Sequence, residues 1–311
     1  MEWQNYWNNL IAEHRLENMI KQLNIADDAL GRGSNYTETV CKGVYEDYSQ
    51  RESFFSSVKT DLLKILDSIS NIHSIGNRTK AVDSLLVKIV TKRAEKFNTK
   101  SPYVSISEED YANVITDLIG IRLILHYQGQ WKDIHEQLLK LFPEDNCKEN
   151  CLLPHEEGKQ FMAEFPIAYH AAEDDTTQFE GIIRHRLHEK GYRSNHYIIS
   201  FKNVYIELQV RTIYDEAWSD YDHTYVYKKE ANPNNNALSI VSPILCKITN
   251  AASDIGELMR EIYDMHFETD TSGQFIIKEQ EKRKLAMIKK HLEEAKNEFD
   301  AFCENNVSKQ V

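Results

Sequence analysis

The stretch Tyr205–Thr212 alternates strictly. Val204, Ile206, Leu208 and Val210 fall on one side; Tyr205, Glu207, Gln209 and Arg211 fall on the other. A period of two means an extended strand with one buried face. The chain must therefore build a sheet and cover its Val204 side. The opposite side lines up a carboxylate, an amide and a guanidinium. Such a row can face bulk water, or it can form a surface for metal and phosphate. The strand by itself allows both.

Charge narrows the choice. The formal net charge is −12 over 311 residues, the reverse of the basic footprint of a dedicated nucleic-acid binder. Two segments run against that average. Asn71–Lys100 has seven Lys/Arg against two acids, net +5, and Gly181–Arg211 has six against two, net +4. Basic islands in an acidic chain point to a local polyanion site such as nucleotide phosphates, the alternative being solvated helix faces. Five cysteines without regular spacing are the usage of a reducing compartment. Cys147, Cys151 and His155 stand four residues apart, one ligand short of a zinc set. The N-terminal segment is interrupted by charge and lacks a signal-type apolar core, and no run approaches a membrane span. The expectation is a cytoplasmic protein with no membrane partner.

Periodicity places the remaining elements. Residues 1–30 are helical, with Trp3, Tyr6, Trp7, Leu10 and Ile11 on one stripe, and break at "GRGSN" (31–35). Residues 53–69 form an amphipathic helix, and "RTKAVDSLLVKIVTKRAEKF" is a loop entering another. "ITDLIGIRLILHY" (115–127) is a buried strand followed by the helix "WKDIHEQLLKLF". Residues 143–180 read as an acidic, loop-rich peripheral insertion. Two consecutive strands, "GYRSNHYIISF" and "NVYIELQVRT", join near Lys202–Asn203, and the helix "IYDEAWSDYDHTYVY" follows. "NPNNN" (232–236) is a linker, and two long helices complete the chain at about 238–266 and 275–303. In the last, Leu285, Ile288, Leu292, Ala295, Phe299 and Phe302 make an a/d seam. That seam can join chains in a homo-oligomer or fold back on its own domain, and with Ala295 in so short a repeat the second is expected.

These elements gather four clusters: Arg78, Lys80, Ser84 and Lys88; Asp117 with Arg122; Tyr192, Arg193, Ser194 and His196 beside Gly191; and Glu207, Gln209 and Arg211. Carboxylates on neighbouring strands, ringed by cations and one aromatic, suit phosphoryl transfer to a nucleotide. The carboxylates hold magnesium, the cations neutralise phosphate charge, and the aromatic stacks a base. No Walker-type glycine loop is present, so side chains must form the phosphate cradle.

Over roughly residues 40–230 the chain resembles the RelA/SpoT-family alarmone synthetase domain. "RxKxxxSxxxK" matches Arg78, Lys80, Ser84 and Lys88; "DxxGxR" matches Asp117, Gly120 and Arg122; "GYRSxH" matches Gly191–His196. "ExQxRT" matches Glu207, Gln209, Arg211 and Thr212, and "AW…H…YK" recurs as Ala217, Trp218, His223, Tyr227 and Lys228. The resemblance implies an α+β fold: a mixed five-stranded sheet flanked by helices, akin to nucleotidyltransferases. On this reading 1–39 is an N-terminal helical extension, 40–231 the synthetase domain, and 232–311 a C-terminal helical extension. It also implies magnesium-dependent transfer of pyrophosphate from ATP to the 3′-hydroxyl of GDP or GTP. Arg78, Lys80, Ser84, Lys88 and Arg122 would serve ATP, and Asp117 and Glu207 would hold magnesium. Glu207 would also act as base, Tyr192 would stack the acceptor base, and His196, Gln209 and Arg211 would complete the acceptor side.

The sequence departs from the family pattern at Thr91, where an arginine is usual, with Lys92 and Arg93 displaced, and at His188, where a lysine is frequent. It contains no His-Asp dipeptide of the kind that binds metal in the family's hydrolase domain, so a synthetase that does not hydrolyse its product is expected. Two alternatives stay open: a toxic synthetase with the tRNA 3′ end or adenosine nucleotides as acceptor, and a nucleotide-sensing pseudoenzyme. Retention of both Asp117 and Glu207 opposes the second.

Overall fold

The alternating stretch forms β6 (Val204–Thr212), and both of its edges are hydrogen-bonded. β2 (Ile119–Leu125) runs parallel on one side, and β5 (Ser194–Phe201) antiparallel on the other. β5 and β6 turn back through Lys202 (φ 50°) and Asn203 (φ 58°), a two-residue turn with both residues left-handed. That geometry matches the twist of a hairpin. The computed structural model describes residues 3–144, 147, 151–172, 174–227, 235–264 and 279–306.

The described residues hold a six-stranded mixed sheet in the order β1-β2-β6-β5-β3-β4, one strand more than expected. The edges are β1 (Ser74–Thr79) and β4 (Arg184–Leu187), and β3 (Phe161–His170) lies between β5 and β4. β3 corrects the reading of 143–180 as a peripheral insertion, because ten of those residues are an inner strand. Its period of two is interrupted: register shifts fall between Met162 and Glu164 and between Glu164 and Ile167, around Pro166. A bulge resets which side chains face inward, so no unbroken alternation marks the strand. β1 takes in Arg78 and Thr79, which were read as the loop entering the next helix. As a largely exposed edge it needs little apolar sequence, and "SIGNRT" has one isoleucine.

The Val204 side of the sheet is dry. Ile119, Ile206 and Ile199 stand in register, as do Ile121, Leu208 and Tyr197, all fully buried. They share one core with α3 (Tyr36–Gln50), α4 (Glu52–Leu66), α5 (Val82–Lys96) and α7 (Trp131–Leu141). α4 buries Phe55, Val58, Leu62 and Leu66, and α5 buries Leu85, Leu86, Ile89 and Val90. These are the helical spacings legible in the sequence. A single turn, α6 (Tyr111–Val114), precedes β2.

The N-terminal helical region is two helices, α1 (Trp3–His14) and α2 (Glu17–Ala29). Arg15 adopts φ 54°, Leu16 N–H bonds to the Ile11 carbonyl at 3.0 Å, and Leu16 is buried. This is a Schellman stop with arginine where glycine is usual. α2 stops in the same way at Gly31, where the left-handed φ of 71° suits glycine. A buried ion pair then ties α2 to α5. Arg93 donates to both oxygens of Asp27, at 2.9 and 3.2 Å, and to the Thr37 hydroxyl at 2.7 Å. Both charged side chains are fully buried.

After β6 come α8 (Ile213–Tyr221), a widened π turn (Asp222–Tyr227), α9 (Asn235–Asp264) and α10 (Glu279–Asn306). Lys228 and most of the 232–236 linker lie outside the described residues. α10 folds back on α9: Ile288 and Ala295 of the seam are buried, whereas Leu285, Leu292 and Phe299 are exposed. No described helix is long and apolar enough to cross a membrane.

Removing one partner of a buried ion pair strands the other charge, at a cost of about 3–5 kcal/mol. Arg93→Ala is expected to lower the unfolding free energy by that order in urea titrations. The double replacement Arg93→Met with Asp27→Leu is expected to recover much of the loss.

Candidate active site

Register assembles the site. On the polar side of the sheet one row reads Arg78, Gly120, Glu207 and Ile198, and the next reads Gly76, Arg122, Gln209 and His196. Each arginine therefore stands opposite a glycine. A Cβ on Gly120 would lie 3.3 Å from Arg78 Nε, and one on Gly76 would lie 3.5 Å from the Arg122 Cβ. The missing side chains leave room for the arginines to lie across the strands.

Asp117 sits in the turn just before β2, where a strand mouth was expected. Lys80 Nζ approaches its Oδ2 at 2.7 Å, and Lys88 Nζ its Oδ1 at 2.8 Å. Lys80 follows β1 directly, while Lys88 lies on α5, one turn after the exposed Ser84. Burial pushes the Asp117 carboxyl up, but Lys88 and Lys80 more than offset this and hold it below the usual carboxylate range. Lys80, the more buried lysine, is pulled below its ordinary value by that burial. Arg78 is exposed, and its side chain makes no hydrogen bond or ion pair with the described residues.

A second set of contacts centres on Glu207. Its Oε1 lies 3.2 Å from His196 Nδ1, and its Oε2 accepts from Gln209 at 2.8 Å. His196 Nε2 is 3.0 Å from the Tyr192 hydroxyl, which accepts from Arg211 Nη1 at 3.2 Å. With the imidazole proton on Nδ1, donation runs one way, from Arg211 through Tyr192 and His196 to Glu207. Burial raises the Glu207 carboxyl, and the His196 contact more than offsets it, so the net direction is down. The charges of Asp117 and Lys88 also act on Glu207, which joins the two clusters.

The structure thus brings together Lys80, Lys88, Asp117, Arg122, Tyr192, His196, Glu207, Gln209 and Arg211, with Arg78 beside them over Gly120. Sequence reasoning missed Glu216. From the first turn of α8 it pairs with Arg122 at 2.7 Å and Arg211 at 2.5 Å. Its only signal was position, in the turn that follows β6. Both departures from the family pattern have places too. Arg93 points away into its Asp27 pair, while the His188 ring packs edge-on against Tyr192, with centroids 5.3 Å apart.

Among the described residues no three His, Cys, Asp or Glu side chains converge on a metal position. Asp117 and Glu207, on which Asp117's charge acts, are carboxylates of the kind magnesium takes one or two at a time, with phosphate oxygens and water completing its shell. The three side chains between 147 and 155 are dispersed. Cys147 Sγ contacts the Met162 carbonyl, His155 contacts Ser200 Oγ, and Cys151 is exposed.

Asp117→Asn leaves two ammonium groups facing each other without their anion. Because the folded carboxyl is depressed, its contribution to stability is complete above the ordinary value near pH 4 and is lost as pH falls through the lower folded value. The expected penalty at pH 7 is ~1–3 kcal/mol. Thermal unfolding of both proteins from pH 7 to pH 3 checks this, with the gap in Tm closing on the acid side.

No curated protein matches the chain. Among solved structures, a GTP pyrophosphokinase family protein from Streptococcus pneumoniae is similar over 70% of this chain and 94% of its own, with a TM-score of 0.45 and 17% identity. The small alarmone synthetase 1 of Bacillus subtilis bound to its product pppGpp is similar over 71% and 93%, with a TM-score of 0.39 and 20% identity. The small alarmone synthetase 2 of the same organism gives 71% and 97%, with 0.41 and 17%. The sequence profile described as "Region found in RelA / SpoT proteins" matches residues 77–232. That span is half of the chain and contains every motif residue matched above, so the chain belongs to the RelA/SpoT family.

Proposed function

We propose that this protein is a pyrophosphokinase that transfers the β,γ-pyrophosphate of ATP to the 3′-hydroxyl of GDP or GTP, releasing AMP and making (p)ppGpp. The observation that carries the reading is that Asp117, just before β2, and Glu207, on the neighbouring β6, lie between two unlike flanks. On one side stand Arg78, Lys80, Lys88 and Arg122, the chemistry of a triphosphate cradle. On the other stand Tyr192, His196, Gln209 and Arg211, an aromatic and hydrogen-bonding surface suited to a nucleoside.

Within this reading the lysines exchange Asp117 for phosphate oxygens when ATP binds, and Arg78 and Arg122 spread over the chain of phosphates. Ser84, exposed in the first turn of α5, offers a hydroxyl at the positive end of the helix. Magnesium held by Asp117 and Glu207 would neutralise charge on the transferring group. Glu207 accepts the 3′-hydroxyl proton at its carboxylate, with His196 and Gln209 orienting that group. Tyr192 supplies the stacking ring, and its hydroxyl is anchored by His196 and Arg211.

Purified protein with β-labelled ATP and magnesium is offered GDP, GTP, AMP-series nucleotides or deacylated tRNA. Label is expected on the guanosine nucleotides, and label on tRNA or adenosine nucleotides alone would overturn the acceptor assignment. Asp117→Asn and Glu207→Gln are each expected to cut transfer by ~10³-fold, the scale of an electrostatic group in such a site.

A second expectation separates the two flanks. Tyr192→Ala removes a stack worth roughly 1–3 kcal/mol and is expected to raise the acceptor KM about tenfold or more. Tyr192→Phe keeps the ring and has the smaller effect. An ATP KM that rises instead would show the flanks to be wrongly assigned.

A further inference from the structure

Tyr192 stands between Gly191 and Arg193, both of which contact α9. Gly191 is left-handed at φ +77°, and a Cβ there would meet Cys246 Sγ at 3.1 Å and Asn250 Nδ2 at 3.6 Å. Both neighbours belong to α9, which packs directly against the glycine backbone. Asn250 Nδ2 donates to the Gly191 carbonyl at 3.3 Å, and Cys246 Sγ contacts the Lys190 carbonyl at 3.2 Å.

Arg193, on the other side of Tyr192, is almost fully buried. Asp174, in the turn after β3, takes its Nε at 3.0 Å and its Nη2 at 2.5 Å. Its Nη1 donates to Asp254 Oδ1 on α9 at 3.0 Å, and to the Asn250 carbonyl at 3.4 Å. α9 grips other parts of the site's frame as well. Glu257 accepts from Gly129 N–H, after β2, at 2.8 Å, and Ser253 Oγ lies 3.3 Å from Thr212 Oγ1, at the end of β6.

The family match ends at residue 232, before α9 begins. An arginine inside the matched region therefore finds one of its two carboxylates outside it. We infer that Asn250 and Asp254 of α9 are positioning residues for the acceptor flank: by fixing Gly191 and Arg193 they set where Tyr192 presents its ring. This rests on the reading above that Tyr192 serves the acceptor. Neither residue reaches the polar side of the sheet through any contact described, so both act through the loop 190–193. Linkage makes the effect mutual: if docking of α9 favours acceptor binding, bound acceptor favours docking of α9 by the same factor.

The test uses full-length protein. kcat and KM are measured with GDP varied at saturating ATP and with ATP varied at saturating GDP, and GDP binding is followed by calorimetry. Asp254→Ala is expected to raise the GDP KM and Kd by roughly tenfold, since displacement of a positioning group by about 1 Å is costly, and to leave the ATP KM within about twofold. Asp254→Glu restores part of the loss. Lys247→Ala, on the same helix but paired with Glu298 of α10, leaves both KM values unchanged. Should Asp254→Ala fail to fold, Asn250→Ala, which removes one hydrogen bond to Gly191, carries the test with a smaller rise in the GDP KM. Equal changes in both KM values, or wild-type values throughout, overturn the inference. Wild-type protein that neither binds nor labels GDP overturns the acceptor reading and this inference together, whereas active wild type beside unaltered variants overturns this inference alone.

Discussion

The site depends on the register of four strands. Parallel pairing of β2 with β6 puts Gly120 beside Glu207 and Arg122 beside Gln209, and antiparallel pairing of β5 with β6 adds His196 to the second row. Side chains alternate along a strand, so a shift of one residue in any of these pairings would turn half the groups into the core. The buried isoleucines, Leu208 and Tyr197 on the far side prevent that shift. Packing of one face thus fixes the chemistry of the other.

The polar face pairs most of its charges within itself, with two cations to one carboxylate at both Asp117 and Glu216. Lys80 and Lys88 hold Asp117, His196 holds Glu207, and Glu216 bridges Arg122 and Arg211. Such pairs orient long side chains before any ligand arrives, which lowers the entropy cost of ordering them on binding. A polyanion on this face would compete for the lysines and arginines, and a cation would compete for the carboxylates. The proposed reaction supplies both together, as ATP with magnesium.

The two basic islands divide differently from what their net charge suggests. Arg93 is consumed by Asp27, Arg193 by Asp174 and Asp254, and Arg184 by Glu164. These arginines tie helices, a loop and the edge strand β4 to the frame. Arg78, Lys80 and Lys88 of the first island face the site instead, whereas Arg211 is buried beneath it, held by Glu216. A charge count locates the region of a polyanion site, but burial decides which of its cations a ligand can reach.

Periodicity by itself determined a good deal. The unbroken alternation of β6, the apolar run of β2 and the helical stripe of α4 are local patterns imposed by backbone geometry, and the structure forms each element there. The motif spacings likewise placed Asp117 at a strand mouth and Glu207 on a polar strand face. β3 was hidden because its bulges around Pro166 break the period, and β1 because an edge strand needs few apolar residues. Glu216 and the pairing of Arg193 with Asp254, 61 residues away, had no local signature at all. Which charges neutralise one another is set by distances across the folded chain, and those distances exist only once the core has fixed the strands and α9 has docked.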